Sequence, residues 1–251
     1  SDGEFLLFTD ADTMHGPRML SRAVAGLYQD EADLMTVLGR RLMGSFRERL
    51  VQPQIFLLML FRFPDFERAV RNPHWRDAIA NGQYILFPRS AYDEIGGHVA
   101  VVEGMALAML VKREGKQLRI RSVVDDLHTR MYRSLAGIIE GWSKNIVVGG
   151  WLSVPPSLRG AVAPVAIAAG VSLWIASPVV LFAGLVGWVA GPLLLWSAVV
   201  YGVSVAIWMY FTHAMHGPPQ YGFLYPLGAL VGAYIFLRSW RRGQNVEWKG
   251  G

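Results

Sequence analysis

The sequence predicts an α/β domain over residues 1–131, followed by an interfacial helix and about three transmembrane helices. Short apolar runs alternate with segments of helical spacing as far as Val124, the pattern of an α/β domain with a largely parallel sheet. Residues 160–237 contain no Asp, Glu, Lys or Arg, whereas loops of a water-exposed chain face solvent and carry charge. The composition agrees: 53% of the residues are hydrophobic and the mean hydropathy is +0.30.

Glu4–Thr9 is an apolar run of strand length, followed by Asp10-Ala-Asp-Thr13 and Pro17. Leu20, Val24 and Leu27 then share one helical face. Asp33–Leu38 predicts a strand, and Phe46–Phe61 a helix that ends near Pro64. Gln83–Phe87 predicts a strand leading into a short helix, Ser90–Ile95, closed by Gly96-Gly97. Glu103–Glu114 has helical spacing and stops at Gly115, and Leu118–Val124 alternates as a strand does. Tyr132–Val148 carries the apolar stripe Leu135, Ile138, Ile139, Trp142 and Ile146, with Arg133, Glu140 and Lys144 off it. Such a helix lies in a membrane interface or packs on the sheet. Residues 132–160 are therefore treated as an amphipathic helix and linker.

A spanning helix needs about 20 residues. The uncharged stretch from 161 to 211 fits two spans, about 161–187 and 192–212, with a turn near Gly187–Pro192. A third, about 221–238, is flanked by Tyr221, Tyr225 and Trp240 as interfacial aromatics. Residues 241–251 form a basic tail. The expected protein is a multi-pass protein of the cell membrane with its polar region on the cytoplasmic side. Three spans put the chain ends on opposite sides, yet Arg238, Arg241 and Arg242 favour the cytoplasmic side.

The net charge of +5 is +2 over residues 1–160 and +3 over residues 238–251. A basic tail beside an apolar segment matches anionic headgroups, and no nucleic-acid partner is expected. The absence of cysteine excludes a disulfide framework and a thiolate metal site. The chain starts without Met and opens almost at once on a strand, so further sequence upstream is expected.

Asp10 and Asp12 directly follow an apolar strand. In an extended segment residues i and i+2 point the same way, so both carboxylates can face one hard cation, Mg²⁺ or Mn²⁺. The alternative is that Asp12 or Thr13 caps the following helix. His98 and His128 are candidates to approach a metal or acceptor, or are surface histidines. Asp125-Asp126 either caps a turn or forms a second metal site. Arg130 and Arg133 suit a diphosphate or lipid headgroups, and His213 and His216 suit a polar loop.

Phe8-Thr-Asp-Ala-Asp-Thr13 resembles the D-x-D segment of family 2 inverting glycosyltransferases, which have the GT-A fold. Asn81-Gly-Gln-Tyr-Ile-Leu86, Arg89-Ser-Ala-Tyr92 and Ile95-Gly-Gly-His98 resemble that family's acceptor-side segment, and Val102-Glu-Gly-Met-Ala-Leu-Ala108 its carboxylate-bearing helix start. Thr129-Arg-Met-Tyr-Arg-Ser-Leu135 and Glu140-Gly-Trp-Ser-Lys-Asn145 are similar to the branch acting on lipid acceptors, which includes hopanoid-associated and carotenoid-type enzymes. Pro226-Leu-Gly228 and Trp248-Lys-Gly250 match its membrane tail.

The resemblance implies a partial GT-A domain, its nucleotide-binding first half lying outside this sequence. It further implies metal-dependent, inverting transfer of a sugar from a nucleotide-sugar to a membrane lipid acceptor, isoprenoid or other. Asp10 and Asp12 would hold Mg²⁺ or Mn²⁺ and the donor, and Asn81, Gly82, Gln83 and Trp142 the acceptor. Trp142 could instead sit in the interface. Glu103 would be the catalytic carboxylate. The family pattern has a second acid where this chain has Gly104, and Glu103 differs from that position by about 100° of helix rotation. The alternative function is a catalytically silent membrane scaffold or partner subunit that retains the fold.

Overall fold

A computed structural model describes residues 2–97, 104–153, 157, 165 and 169–242. In chain order its elements are β1 (Phe5–Thr9), β2 (Thr13–His15), α1 (Met19–Gln29), β3 (Leu34–Leu38), β4 (Arg40–Arg41), α2 (Phe46–Arg62), α3 (Phe66–Arg71), β5 (Tyr84–Pro88) and α4 (Arg89–Glu94). They continue with α5 (Gly104–Arg113), β6 (Leu118–Ser122), β7 (Leu127–Thr129), α6 (Leu135–Ser153), α7 (Ser177–Leu185), α8 (Pro192–Ala214) and α9 (Tyr225–Arg242). The protein is a mixed α/β chain of two compact units: Ser1–Leu42 with Leu60–Met131, and Met43–Met59 with Tyr132–Gly251.

The first unit is built on a four-stranded sheet in the order β1-β5-β3-β6. The largely parallel sheet expected from the alternation of strands and helices is not what forms. β5 runs antiparallel to both β1 and β3, and within this sheet only β3 and β6 pair in parallel. β1, β3 and β6 share one direction, so the alternation is genuine, but β5 inserts between them reversed. Its register sets Thr9 opposite Tyr84 and Phe5 opposite Pro88.

β3 and β5 are buried on both faces, which explains their unbroken apolar runs. Met19, Ala23 and Leu27 of α1 pack with Met35, Val37, Tyr84, Leu86 and Leu127 in one core cluster. A second sheet, β2-β7-β4, is made of strands two or three residues long.

In the second unit, α9 lies along α6, tied by Arg238 Nη2 donating to Glu140 Oε2 at 2.6 Å. Gly228 lets α9 approach α2 closely, because a Cβ there would lie 2.5 Å from the Leu50 carbonyl oxygen. Trp208 and Tyr225 stack with their rings 9° from parallel, joined by Trp174 and Tyr201.

Two helical segments, Pro192–Ala214 and Pro219–Arg241, are long and apolar enough to cross a membrane. Of the first expected span, 161–187, the described part gives a shorter apolar helix, Ser172–Leu185. It is followed by the predicted turn, in which Gly187 and Gly191 both take positive φ. Much of 161–170 lies outside the described residues, as do Glu103, His98 and Trp248-Lys-Gly250.

Candidate functional site

The C-terminal ends of β1 and β3 and the approach to β5 lie at one end of the first unit's sheet. Asp10 and Asp12 follow β1 there, and Asn81-Gly82-Gln83 precede β5. The expectation of an extended Asp10-Ala11-Asp12 is corrected. Thr13 N–H donates to the Asp10 carbonyl at 3.3 Å and Thr13 Oγ1–H donates to it at 2.7 Å, closing a turn of the kind threonine side chains stabilise. Helix capping by Asp12 or Thr13 is also excluded, because β2 intervenes and α1 has Arg18 at its N-cap position.

Both aspartates are exposed. Partial burial first, and the Asp12 carboxylate second, push the Asp10 carboxyl above its ordinary value. The two negative charges therefore act on one another across the turn.

A hydrogen-bond cluster braces this turn. Thr9 Oγ1 lies 2.8 Å from Thr13 Oγ1 and donates to the Gln83 carbonyl at 3.0 Å. His15 Nε2 is 3.0 Å from Thr9 Oγ1 and 2.9 Å from Thr13 Oγ1. Its ring rests 5.4 Å from that of Tyr84, whose buried hydroxyl is pushed up to about 12 by desolvation. Neither His15 nor Tyr84 is singled out by the sequence. The only signal is Thr13 and His15 at strand spacing behind two acids.

Of the residues the resemblance assigns to an acceptor, Gly82 is exposed. Asn81 anchors the loop to β3: its Nδ2 donates to Val37 O at 2.7 Å, its N–H donates to Thr36 Oγ1 at 2.9 Å, and its carbonyl accepts from Thr36 Oγ1 at 3.0 Å. Gln83 is only 6% exposed, and its carbonyl holds Thr9. Gly104 opens α5 directly against this loop, since a Cβ there would lie 3.0 Å from Gly82 Cα and 3.1 Å from Ile85 Cδ1. Trp142 belongs to the second unit, buried edge-on to Phe56 and Tyr132.

Asp126 forms an ion pair with Arg22, and its carbonyl accepts from Gly16 N–H at 2.7 Å, a structural link between the β7 turn and α1. His128 stands opposite Met14 and beside Arg40 in the small sheet. Arg133 is exposed. His213 lies in the last turn of α8 rather than in a loop, while His216 takes positive φ just beyond it.

A cavity of about 650 Å³ opens between α1, α3 and β6, and neither Asp10 nor Asp12 lines it. Arg22, Arg71, Arg119 and Arg121 line it with Asp30, Glu67 and Asp125. Asp30 binds Arg121 at 2.8 Å, and with Arg22 held by Asp126 the cavity carries little net charge.

Two exposed carboxylates supply the hard oxygens that Mg²⁺ or Mn²⁺ takes when it draws its remaining ligands from phosphates and water. Among the described residues no group of three or more His, Asp or Glu forms a complete protein cage. Asp10 and Asp12 are the right kind of donor for such a cation, and any metal there would need further ligands from outside the described residues. Comparison with protein-family models gives no match, and comparison with curated proteins gives no significant match.

Proposed function

We propose that the chain is the acceptor-side part of a membrane-anchored glycosyltransferase of GT-A type, moving a sugar from a nucleotide-sugar to a lipid hydroxyl or carboxyl with inversion. The observation that carries the reading is the meeting of the Asp10–Asp12 turn, Gly82 and the start of α5 at one end of the sheet. In open α/β folds ligands bind at such strand ends.

Asp10 and Asp12 would hold Mg²⁺ or Mn²⁺, which when bound supplies positive charge against a diphosphate leaving group. Asn81 and Gln83 hold the loop that presents Gly82 to the acceptor. The acceptor oxygen attacks the anomeric carbon as the bond to the diphosphate breaks, and the acceptor proton passes to Glu103.

Membrane residence is supported by an inverted burial pattern in the apolar helices. Leu195 and Tyr210 are 67% and 74% exposed, while Ser197 and Ser204 on the same helix are 0% and 6% exposed. A helix that leaves Leu195, Val199, Val203 and Ile207 facing outward while its serines lie inward beside Trp208 suits a lipid surround. Anchoring of this kind would keep the chain near an acceptor concentrated in the bilayer.

The test uses the full gene product in nanodiscs, with Mn²⁺, radiolabelled UDP- and GDP-sugars, and lipid extract containing polyprenyl phosphate. Transfer that requires Mn²⁺ and disappears in both D10N and D12N supports the reading. Mn²⁺ binding indifferent to both substitutions would overturn it. The second reading, a silent scaffold, is favoured by Gly104: it packs on Gly82 and offers no carboxylate where the family resemblance calls for one. Mn²⁺ binding without any sugar transfer or sugar-nucleotide hydrolysis supports that reading.

A further inference from the structure

The protons around His15 can be counted. Thr9 and Thr13 own one hydroxyl proton each. Two carbonyls, Gln83 O at 3.0 Å and Asp10 O at 2.7 Å, lie against these hydroxyls and can only accept. If both protons go to the carbonyls, the 2.8 Å contact between Thr9 Oγ1 and Thr13 Oγ1 sets two lone pairs face to face. His15 Nε2 lies 3.0 and 2.9 Å from those same oxygens.

A bare Nε2 would add a third lone pair, leaving three of the five contacts without a proton. An Nε2–H shared between the two oxygens supplies the missing donor, and leaves only the threonine pair without its own proton. Neutral imidazole carries its proton on one nitrogen, and the surrounding bonds decide which.

We propose that His15 is a positioning residue, whose Nε2–H bridges the hydroxyls of Thr9 and Thr13 and so fixes the Asp10-Ala11-Asp12 turn. Thr13 closes the turn onto the Asp10 carbonyl, and Thr9 ties the end of β1 to Gln83 at the loop before β5. His15 joins the two, so the aspartates and the Asn81–Gln83 loop are held as one piece. Its consequence for cation binding rests on the reading of Asp10 and Asp12 given above, whereas the hydrogen-bond assignment does not.

Two measurements on the full chain test this. In the first, ¹⁵N-histidine spectra in detergent are assigned by difference against H15Q. The expected His15 signal is the Nε2–H form, and a bare Nε2 with the proton on Nδ1 overturns the assignment.

In the second, Mn²⁺ is titrated by electron paramagnetic resonance. Glutamine carries an amide N–H near the position of Nε2, whereas asparagine is a bond too short and leucine has no donor. H15Q should stay within about twofold of the native Kd. H15L and H15N should bind roughly tenfold more weakly, the loss of about one hydrogen bond. Native affinity in H15L overturns the positioning role, and a loss in H15Q equal to that in H15L overturns the donor argument. Absence of Mn²⁺ binding by the native chain overturns the metal reading and the cation consequence with it, and the spectra then decide the hydrogen bonds alone.

Discussion

Gly104 rests on the backbone of Gly82: a Cβ at residue 104 would lie 3.0 Å from the Gly82 Cα and 3.2 Å from its nitrogen. Gly82 cannot easily yield, because its neighbour Asn81 is fastened to β3 by three hydrogen bonds. Alanine at 104 would gain at most about 1 kcal/mol from helix propensity, and less at this first helical position, but overpacking against fixed backbone costs about 1–3 kcal/mol. G104A and G104D should therefore both lower thermal stability in detergent, and G104D should bring no gain in sugar transfer. A G104D chain as stable as the native one would disprove the tight contact.

The raised carboxyl of Asp10 has a definite sign for stability. Its contribution is fully present below the unfolded value near 3.8 and is lost as pH rises through the higher folded value. At neutral pH the ionised group thus disfavours the fold. D10N should melt higher than the native chain at pH 7, with the difference shrinking on acidification. Added Mn²⁺ should raise the native Tm and leave D10N unmoved. Calorimetry across pH 3–7 checks both points.

Lys112 gives the opposite case in a base. Burial lowers its ammonium from 10.5 to about 8, although Nζ still donates to Asn72 O at 2.6 Å and to Ala69 O at 3.4 Å at the end of α3. Between about pH 8 and 10.5 the unfolded chain holds a proton that the folded one has released, so stability should rise across that window. The difference in unfolding free energy between native and K112M, measured by denaturant titration, isolates this slope from other lysines. A flat difference would contradict the desolvation.

Much of the fold is legible in the sequence where a single segment carries its own signal. The run Phe5–Thr9, the turn at Gly187–Pro192 and the helix closure at Gly96-Gly97 are set by local chemistry: an unbroken apolar stretch, or positive φ that glycine tolerates. β2, β4 and β7 have no such signal. Two or three residues cannot show alternation, and these strands exist only because Thr13, Thr129 and Arg41 meet from distant parts of the chain. The reversal of β5 is equally non-local. At the site, Asp10 and Asp12 are visible as paired acids. The contacts of Thr13 and His15 are local, yet they rest on side-chain orientations that residue spacing does not display, and the ties from Thr9 to Gln83 and from Asn81 to β3 depend on segments meeting across the fold.

The native chain contains no cysteine, so single cysteines report cleanly on exposure. In liposomes, L195C and Y210C should resist a charged maleimide and accept a lipid-soluble one, because both positions face outward from an apolar helix. A cysteine replacing exposed Ser90 at α4 should react with the charged reagent. Fast reaction of L195C with the charged reagent would remove the membrane assignment of α8.

The assignment of Met43–Met59 to the same unit as Tyr132–Gly251 has a consequence for biosynthesis. Val51, Ile55 and Phe56 of α2 leave the ribosome well before any of the later helices they are grouped with. At about 5–20 residues per second, several seconds pass before Tyr132 is made. During that interval this apolar surface needs shelter, from a chaperone or from the bilayer, and no single cut in the gene separates one unit from the other.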